Sequence, residues 1–201
     1  MTNNKLEIEK RYIECRSIEN TETTNNTNQM KIKGTAVVFE SPTVLYEVDG
    51  VEFKEVIDRH ALDNADFSLC CLKYNHENCV PVLARTRKGS LRLNIDDVGL
   101  HFEADLFNTS TSRDVYTLIQ EGGLDKCSFA FTVKSSEYDK VNHLRRITEI
   151  DKVFDVSIVD TPAYEDTSVE LRSFFDMEIA KEKQTLENEI NKRKRLELLT
   201  I

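Results

Sequence analysis

Three observations predict an α+β, mainly β fold with an antiparallel β-barrel-like core and flanking helices. Short alternating or β-branched apolar runs recur from Lys31 to Val159, turn residues separate them, and helical periodicity is confined to a few stretches. A chain of 201 residues can bury such a core without disulfides. The hydrophobic fraction of 39% and the charged fraction of 31%, with six Gly and three Pro, describe a globular protein rather than a fibrous or disordered one.

The elements follow in order. Leu6, Ile8, Ile13 and Cys15 among charges read as an early strand interrupted near Lys10-Arg11, and the polar run 17–29 reads as a loop. Lys31 to Phe39 alternates and is a strand. Tyr46 to Ile57 reads as a hairpin turned at Asp49-Gly50, a dipeptide that tolerates positive φ. Asp58 to Asp63 reads as a turn into a short helix, and Leu69 to Tyr74 as a strand ending in the polar knot Asn75-His76-Glu77-Asn78. Leu91–Leu93 and Leu100–Ala104 form a second hairpin. Ser110 or Ser112 can cap a helix carrying Val115, Leu118 and Ile119 on one face, stopped at Gly122-Gly123. A strand over 124–133, a turn over 137–142, a strand over 144–150 and a last strand from Phe154 to Val159 complete the core. From about Ser173 the composition changes to charged helix formers, giving three parts: 1–30 as strand and polar lead-in, 31–172 as the domain, and 173–201 as a charged helical tail.

A formal net charge of -9 argues against nucleic-acid binding, which needs a basic face. Five cysteines without framework spacing, and a start Met1–Glu7 without an apolar signal region, predict a reducing cytoplasm. No run approaches the roughly 18 apolar residues of a membrane span, so no membrane association is expected.

Chemistry concentrates around Cys127-Ser128-Phe129-Ala130-Phe131-Thr132-Val133. Cys127, Phe129, Phe131 and Val133 share one face of the strand, and Ser128, Ala130 and Thr132 the other. An apolar row packed into the core would hold Ser128 rigidly on the opposite face, as a nucleophile requires, although exposed serines on strands are also ordinary. Of four histidines, His76 is the best placed candidate base, at a strand end among polar residues; His60, His101 and His143 lie in a turn, on a strand and near a hairpin tip. Asp155 is a candidate acid, a carboxylate opening a hydrophobic strand, and can meet His76 only if their strands are neighbours. Cys127 is the rival nucleophile, but strand parity turns it into the core. Cys71, His76 and Cys79 are a weak metal-site pattern without a second ligand pair.

Taken in order, Gly34-Thr35-Ala36-Val37-Val38-Phe39, Phe53-Lys54-Glu55-Val56-Ile57, Tyr74-Asn75-His76-Glu77, Val82-Leu83-Ala84-Arg85-Thr86, Gly89-Ser90-Leu91-Arg92-Leu93, Asp97 to Phe102, Arg113-Asp114, Ser128-Phe129-Ala130-Phe131 and Asp155 to Val159 with Pro162-Ala163 form a recognisable series. Over about Lys31 to Thr167 the chain resembles the prohead (procapsid maturation) serine proteases of tailed bacteriophages. The resemblance implies a herpesvirus-assemblin-like barrel and an endopeptidase in which His76 and Ser128 are the catalytic pair. Asp155 would be the third member, with Glu149 and Asp151 as nearby substitutes. No metal or organic cofactor is implied. The implied substrates are scaffold or the scaffolding segment of the major capsid protein, and usually the protease itself, inside a procapsid assembling in the host bacterial cytoplasm. The portal as a further partner and a homodimer as the assembly state are wider expectations of the same resemblance. The alternative is a non-catalytic assembly factor of the same fold that binds capsid protein. Ala130 stands where relatives often have glycine, His60 sits near a usual Pro-Gly turn, and the oxyanion donors are unassigned, backbone amides being the expected source.

Overall fold

A computed structural model of the protein describes residues 7–13, 19–20, 29–48 and 50–160, together with 175, 178, 180, 181, 184, 185, 187, 188 and 192. Residues 1–166 make one compact unit and 167–201 a second.

Within the first unit the strands are β1 (Ile8–Ile13), β2 (Glu19–Asn20), β3 (Lys31–Val38), β4 (Thr43–Val48), β5 (Val51–Ile57), β6 (Cys71–Tyr74), β7 (Ala84–Arg85), β8 (Leu91–Ile95), β9 (Gly99–Asp105), β10 (Lys126–Asp139) and β11 (Leu144–Val159), with one helix, α1 (Ser110–Gln120). They form two sheets. The larger runs β1-β10-β11-β5-β4, with β6 paired to β11 and β7 to β6; the smaller runs β2-β3-β9-β8. Their apolar faces meet in one core, to which the small sheet contributes Ile32, Ala36, Leu100 and Phe102 and the large sheet Phe129, Phe131, Ile147, Val153, Val156 and Ile158. Phe129 and Phe131 stack at 4.4 Å between centroids, as residues two apart on one strand face can.

The mainly β character is as expected, whereas the expected antiparallel barrel does not form a closed one. Among the described residues neither sheet closes on itself, and the larger one is mixed. β11 runs antiparallel to β10 yet parallel to both β5, through Leu144–Ile147, and β6, through Asp155–Ile158. Alternation along a strand reports which face is buried, not the direction of its neighbour, so the sequence carried no sign of this.

The two strands expected over 144–150 and 154–159 are one. The charged stretch Asp151-Lys152 stays in the sheet because Asp66 lies against it. The Asp66 N–H donates to Asp151 O at 2.9 Å, its carbonyl accepts from Val153 N at 3.1 Å, and its carboxylate takes the Lys152 ammonium at 2.8 Å. Asp66 therefore fills the gap that β5 and β6 leave along β11. β1 is likewise uninterrupted at Lys10-Arg11, because Arg11 is only 7% exposed and its charge is answered inside the fold. The helix expected after Asp58 is a series of turns instead. The Asp49-Gly50 turn joins β4 to β5, with Gly50 at φ +81°, although Asp49 itself lies outside the described residues. Helix α1 is capped by Thr109, whose Oγ1 accepts from Ser112 N at 3.1 Å, rather than by a serine. It buries Ser112, Val115 and Ile119 but leaves Leu118 exposed.

Gly99 opens β9 where β3 bulges between Thr35 and Val37. A Cβ there would lie 1.9 Å from the backbone oxygen of Val37, which no side-chain rotation relieves. Gly99→Ala is expected to destabilise the protein by about 3 kcal/mol through forced backbone separation, read as a lower urea midpoint at unchanged slope.

In the second unit the described positions are helical, and Lys181 Nζ lies 2.5 Å from Glu178 Oε1 one turn away. Most of the expected charged tail lies outside the described residues. No helix among the described residues is long and apolar enough to cross a membrane.

Candidate active site

Three neighbouring strands build the site. β11 lies between β10 and β6, so that Ser157 pairs with Ser128 on one side and with Lys73 on the other, and Asp155 likewise pairs with Ala130 and Cys71. Residues two apart on a strand share a face, so Asp155 and Ser157 project together toward the side where Ser128 points. His76 reaches them from the turn just after β6. Sequence spacing could not establish that β6 and β11 are neighbours; their parallel pairing is what brings His76 to Asp155.

His76 Nδ1 lies 2.6 Å from Asp155 Oδ1, and His76 Nε2 lies 2.5 Å from Ser128 Oγ. Ser157 Oγ donates to Asp155 Oδ1 at 2.8 Å and accepts from the His76 backbone N–H at 3.2 Å. Lys73 Nζ stands 3.4 Å from Asp155 Oδ2 and donates to Asn78 Oδ1 at 2.9 Å. Ser157 and Lys73 are not among the residues that the sequence singled out. The parity of the last strand does signal Ser157, because it shares the Asp155 face.

The turn that delivers His76 is conformationally costly. Asn75 and His76 are consecutive non-glycine residues in the left-handed region, at φ +49° and +56°. A clasp to the end of β11 holds them. The Asp160 carboxylate oxygen Oδ2 accepts from Tyr74 OH and from Asn75 Nδ2, each at 3.0 Å, and the Asp160 N–H donates to Asn75 Oδ1 at 3.2 Å.

Burial pushes the Asp155 carboxyl up, but the His76 hydrogen bond and charge, the Ser157 hydroxyl and the Lys73 ammonium outweigh it and hold the group below its ordinary value. Asp155 is thus ionised at neutral pH. A carboxylate at Nδ1 keeps the proton on that nitrogen and leaves the Nε2 lone pair facing the Ser128 hydroxyl. This is the arrangement by which an imidazole can take a proton from a serine as the oxygen attacks.

The other candidates stand elsewhere. Cys127 is fully buried in the core, on the face opposite Ser128. The Ser128 face is not solvent-exposed either: Ser128 is 0% exposed, Ala130 2% and Thr132 4%, so both faces of this strand are covered. Glu149 pairs with Lys134 at 2.6 Å and Asp151 lies 3.5 Å from Thr132, both farther back along β11. Cys71 Sγ faces the Phe154 carbonyl, and Cys79 is exposed beside Glu77. Among the described residues, no group of three or more His, Cys, Asp or Glu is placed to hold a metal ion. His60 pairs with Asp63, His101 sits between Thr35 and Asp96, and His143 meets Tyr138.

Comparison with known proteins bears on the family and the fold. No curated protein matches the chain. Among solved structures the chain is similar to the capsid assembly protease gp21 of bacteriophage T4, with a TM-score of 0.54 and 12% sequence identity over 79% of this chain and 100% of that one. At that identity the likeness is one of fold. The family described as caudovirus prohead serine protease matches residues 15–183, which span every strand from β2 to β11 and include His76, Ser128 and Asp155. The chain belongs to the caudovirus prohead serine protease family.

Proposed function

We propose that the protein is a procapsid maturation endopeptidase in which Ser128 is the nucleophile, His76 the general base and Asp155 the residue that orients and charges the imidazole. The observation that carries this reading is the unbroken chain of contacts from Asp155 Oδ1 to His76 Nδ1 and from His76 Nε2 to Ser128 Oγ, at 2.6 and 2.5 Å.

In the first half-reaction Ser128 Oγ bonds to the scissile carbonyl carbon while its proton passes to His76 Nε2. The tetrahedral intermediate then breaks its C–N bond, and the amine leaves with that proton. In the second half-reaction water gives a proton to His76 as its oxygen bonds to the acyl carbon; the C–Oγ bond then breaks, His76 returns the proton to Ser128 Oγ and the carboxylic acid product leaves. Asp155 keeps its charge throughout and stabilises the imidazolium.

The substrates that fit the family are scaffold or the scaffolding segment of the major capsid protein, cleaved inside an assembling procapsid in the host cytoplasm. Removing scaffold by hydrolysis would make the passage to the mature shell irreversible. Residues 173–201 differ in composition from the protease domain at 31–172, and that segment either docks on capsid or is removed by self-cleavage.

The test has two arms. Treatment with an aryl fluorophosphonate, followed by peptide mass mapping, is expected to place the adduct on Ser128; an adduct on another residue would remove Ser128 as the nucleophile. Co-expression with the major capsid protein of the same genome, followed by intact mass, is expected to yield a shortened capsid chain with the wild type and none with Ser128→Ala. Identical capsid masses in both would refute the proposed substrate. Loss of C-terminal residues from the protease in the active form alone would assign the tail to self-cleavage.

A further inference from the structure

Ser157 sits at the junction of the base and the acid without any part in the proton transfers of the triad. It is 0% exposed, and β11 places it directly opposite Ser128 across the sheet. Its single hydroxyl proton goes to Asp155 Oδ1 at 2.8 Å, while its oxygen accepts the backbone N–H of His76 at 3.2 Å and lies 3.2 Å from His76 Nδ1. The first bond fixes the carboxylate oxygen that also receives the imidazole. The second holds the backbone of a histidine in the left-handed region, where φ is +56°.

From this geometry we infer that Ser157 is a positioning residue of the protease, tying the His76 backbone and the Asp155 carboxylate to one hydroxyl and so holding in place the carboxylate that sets the imidazole tautomer and the approach of the ring to Ser128. The inference rests on the triad of Ser128, His76 and Asp155. Its logic is the polarity of the hydroxyl. The Asp155 carboxylate 2.6 Å from Nδ1 can only accept, so Nδ1 carries the proton; with no lone pair offered there, the Ser157 hydroxyl donates to Asp155 Oδ1. The Nε2 lone pair is then the one that meets Ser128. A side chain at 157 without oxygen would leave the His76 N–H without this acceptor and Asp155 Oδ1 with one donor fewer. The ring and its carboxylate would lose this anchor, and a misplacement of about 1 Å at the reacting atoms can cost on the order of 10²-fold in rate.

The experiment compares full-length wild type, Ser157→Ala and Ser128→Ala by the rate of phosphonylation with an aryl fluorophosphonate. In that reaction Ser128 Oγ bonds to phosphorus, fluoride leaves and His76 takes the proton. Ser157→Ala is expected to lower the maximal inactivation rate by roughly 10- to 100-fold, with the reagent's half-saturating concentration unchanged. A merely structural role would not move the second readout, the downfield proton resonance of His76 Nδ1–H in ¹⁵N-labelled protein, recorded in the Ser128→Ala background to prevent self-cleavage. There Ser157→Ala is expected to shift or broaden that resonance, and Ser157→Thr, which keeps the hydroxyl, to return it.

An inactivation rate in Ser157→Ala equal to that of wild type, or a slowed rate with an unmoved Nδ1–H resonance, would overturn the positioning role. Should Ser157→Ala not fold, Ser157→Cys gives the same two readouts, and each result then carries the same meaning. Loss of the fold in both would assign Ser157 to core stability and also overturn it. Failure of the triad itself looks different: Ser128→Ala would then be phosphonylated as fast as wild type.

Discussion

Ser128→Ala is expected to lower kcat/KM for peptide cleavage by about 10⁶-fold while leaving the thermal midpoint nearly unchanged. The oxygen removed is the one 2.5 Å from His76 Nε2. His76→Ala is expected to cost nearly as much, and the double variant little more than either, because members of one proton-transfer unit are not additive. Asp155→Asn is expected to lose about 10⁴-fold, since an amide facing Nδ1 can hold the imidazole in the wrong tautomer. Acid stability should separate Asp155→Asn from Ser128→Ala. The folded-state value of Asp155 is depressed, so its ionisation contributes stability that is complete above the unfolded value of about 3.9 and is lost as the pH falls through the lower folded value. Asp155→Asn removes that acid-dependent contribution; Ser128→Ala keeps it. Steady-state cleavage of a capsid-derived peptide, with thermal melts between pH 2 and 7, checks both.

Arg11→Met is expected to destabilise the fold by about 3–5 kcal/mol, because it strands buried carboxylates short of a partner. Arg11 and Glu9 on β1 meet Glu55 on β5 and Arg145 on β11 in a buried four-charge cluster. Arg11 contacts both Glu9 and Glu55, and Arg145 Nη1 lies 2.8 Å from Glu9 and 3.1 Å from Glu55. Burial pushes the Arg11 guanidinium toward losing its proton, but Glu55 and Glu9 outweigh that and hold it charged. Burial also pushes Glu9 up, and Arg145 and Arg11 bring it below its ordinary value. Methionine fills much of the volume but leaves two carboxylates to share Arg145, an unbalanced charge in a site where each side chain is 14% exposed or less. Lys134→Met is the control, because its pair with Glu149 is half in solvent, where water and salt screen it, and its loss should leave the stability nearly unchanged. Guanidinium denaturation of the two variants beside wild type measures the contrast. A loss below about 1 kcal/mol for Arg11→Met would mean that the cluster relaxes or hydrates freely.

What the sequence could disclose divides along a physical line. Alternation located β3, the β4–β5 and β8–β9 hairpins and the Ser128 strand, and it assigned Cys127 and Ser128 to opposite faces, because side-chain parity is a local property of an extended chain. It missed the length of β11, whose charged middle is stabilised by Asp66 from a distant turn, and it misread Arg11 as an interruption because its partners lie on β5 and β11. It also expected a barrel where two open sheets form, since strand direction and neighbours are set by packing across the whole chain. At the site, residue types and local motifs drew attention to His76, Ser128 and Asp155. Only the parallel pairing of β6 with β11 puts the first and last within 2.6 Å. Parity sets Ser157 on the Asp155 face, but its role depends on the His76 backbone N–H, which only the pairing of β6 with β11 brings to it.

The seat of β1 sets the order in which this molecule can be made. β10 lies between a strand that leaves the ribosome first and one that leaves it late, with Tyr12 on one side of Ser128 and Ser157 on the other. Arg11 must find charges carried by Glu55 and join a cluster completed by Arg145, more than a hundred residues downstream. Such long-range closure slows folding, and at roughly 5–20 residues per second of synthesis the first strand waits several seconds for its neighbours. The strand that brings Asp155 beside both Ser128 and His76 is therefore in place only after translation has passed Val159.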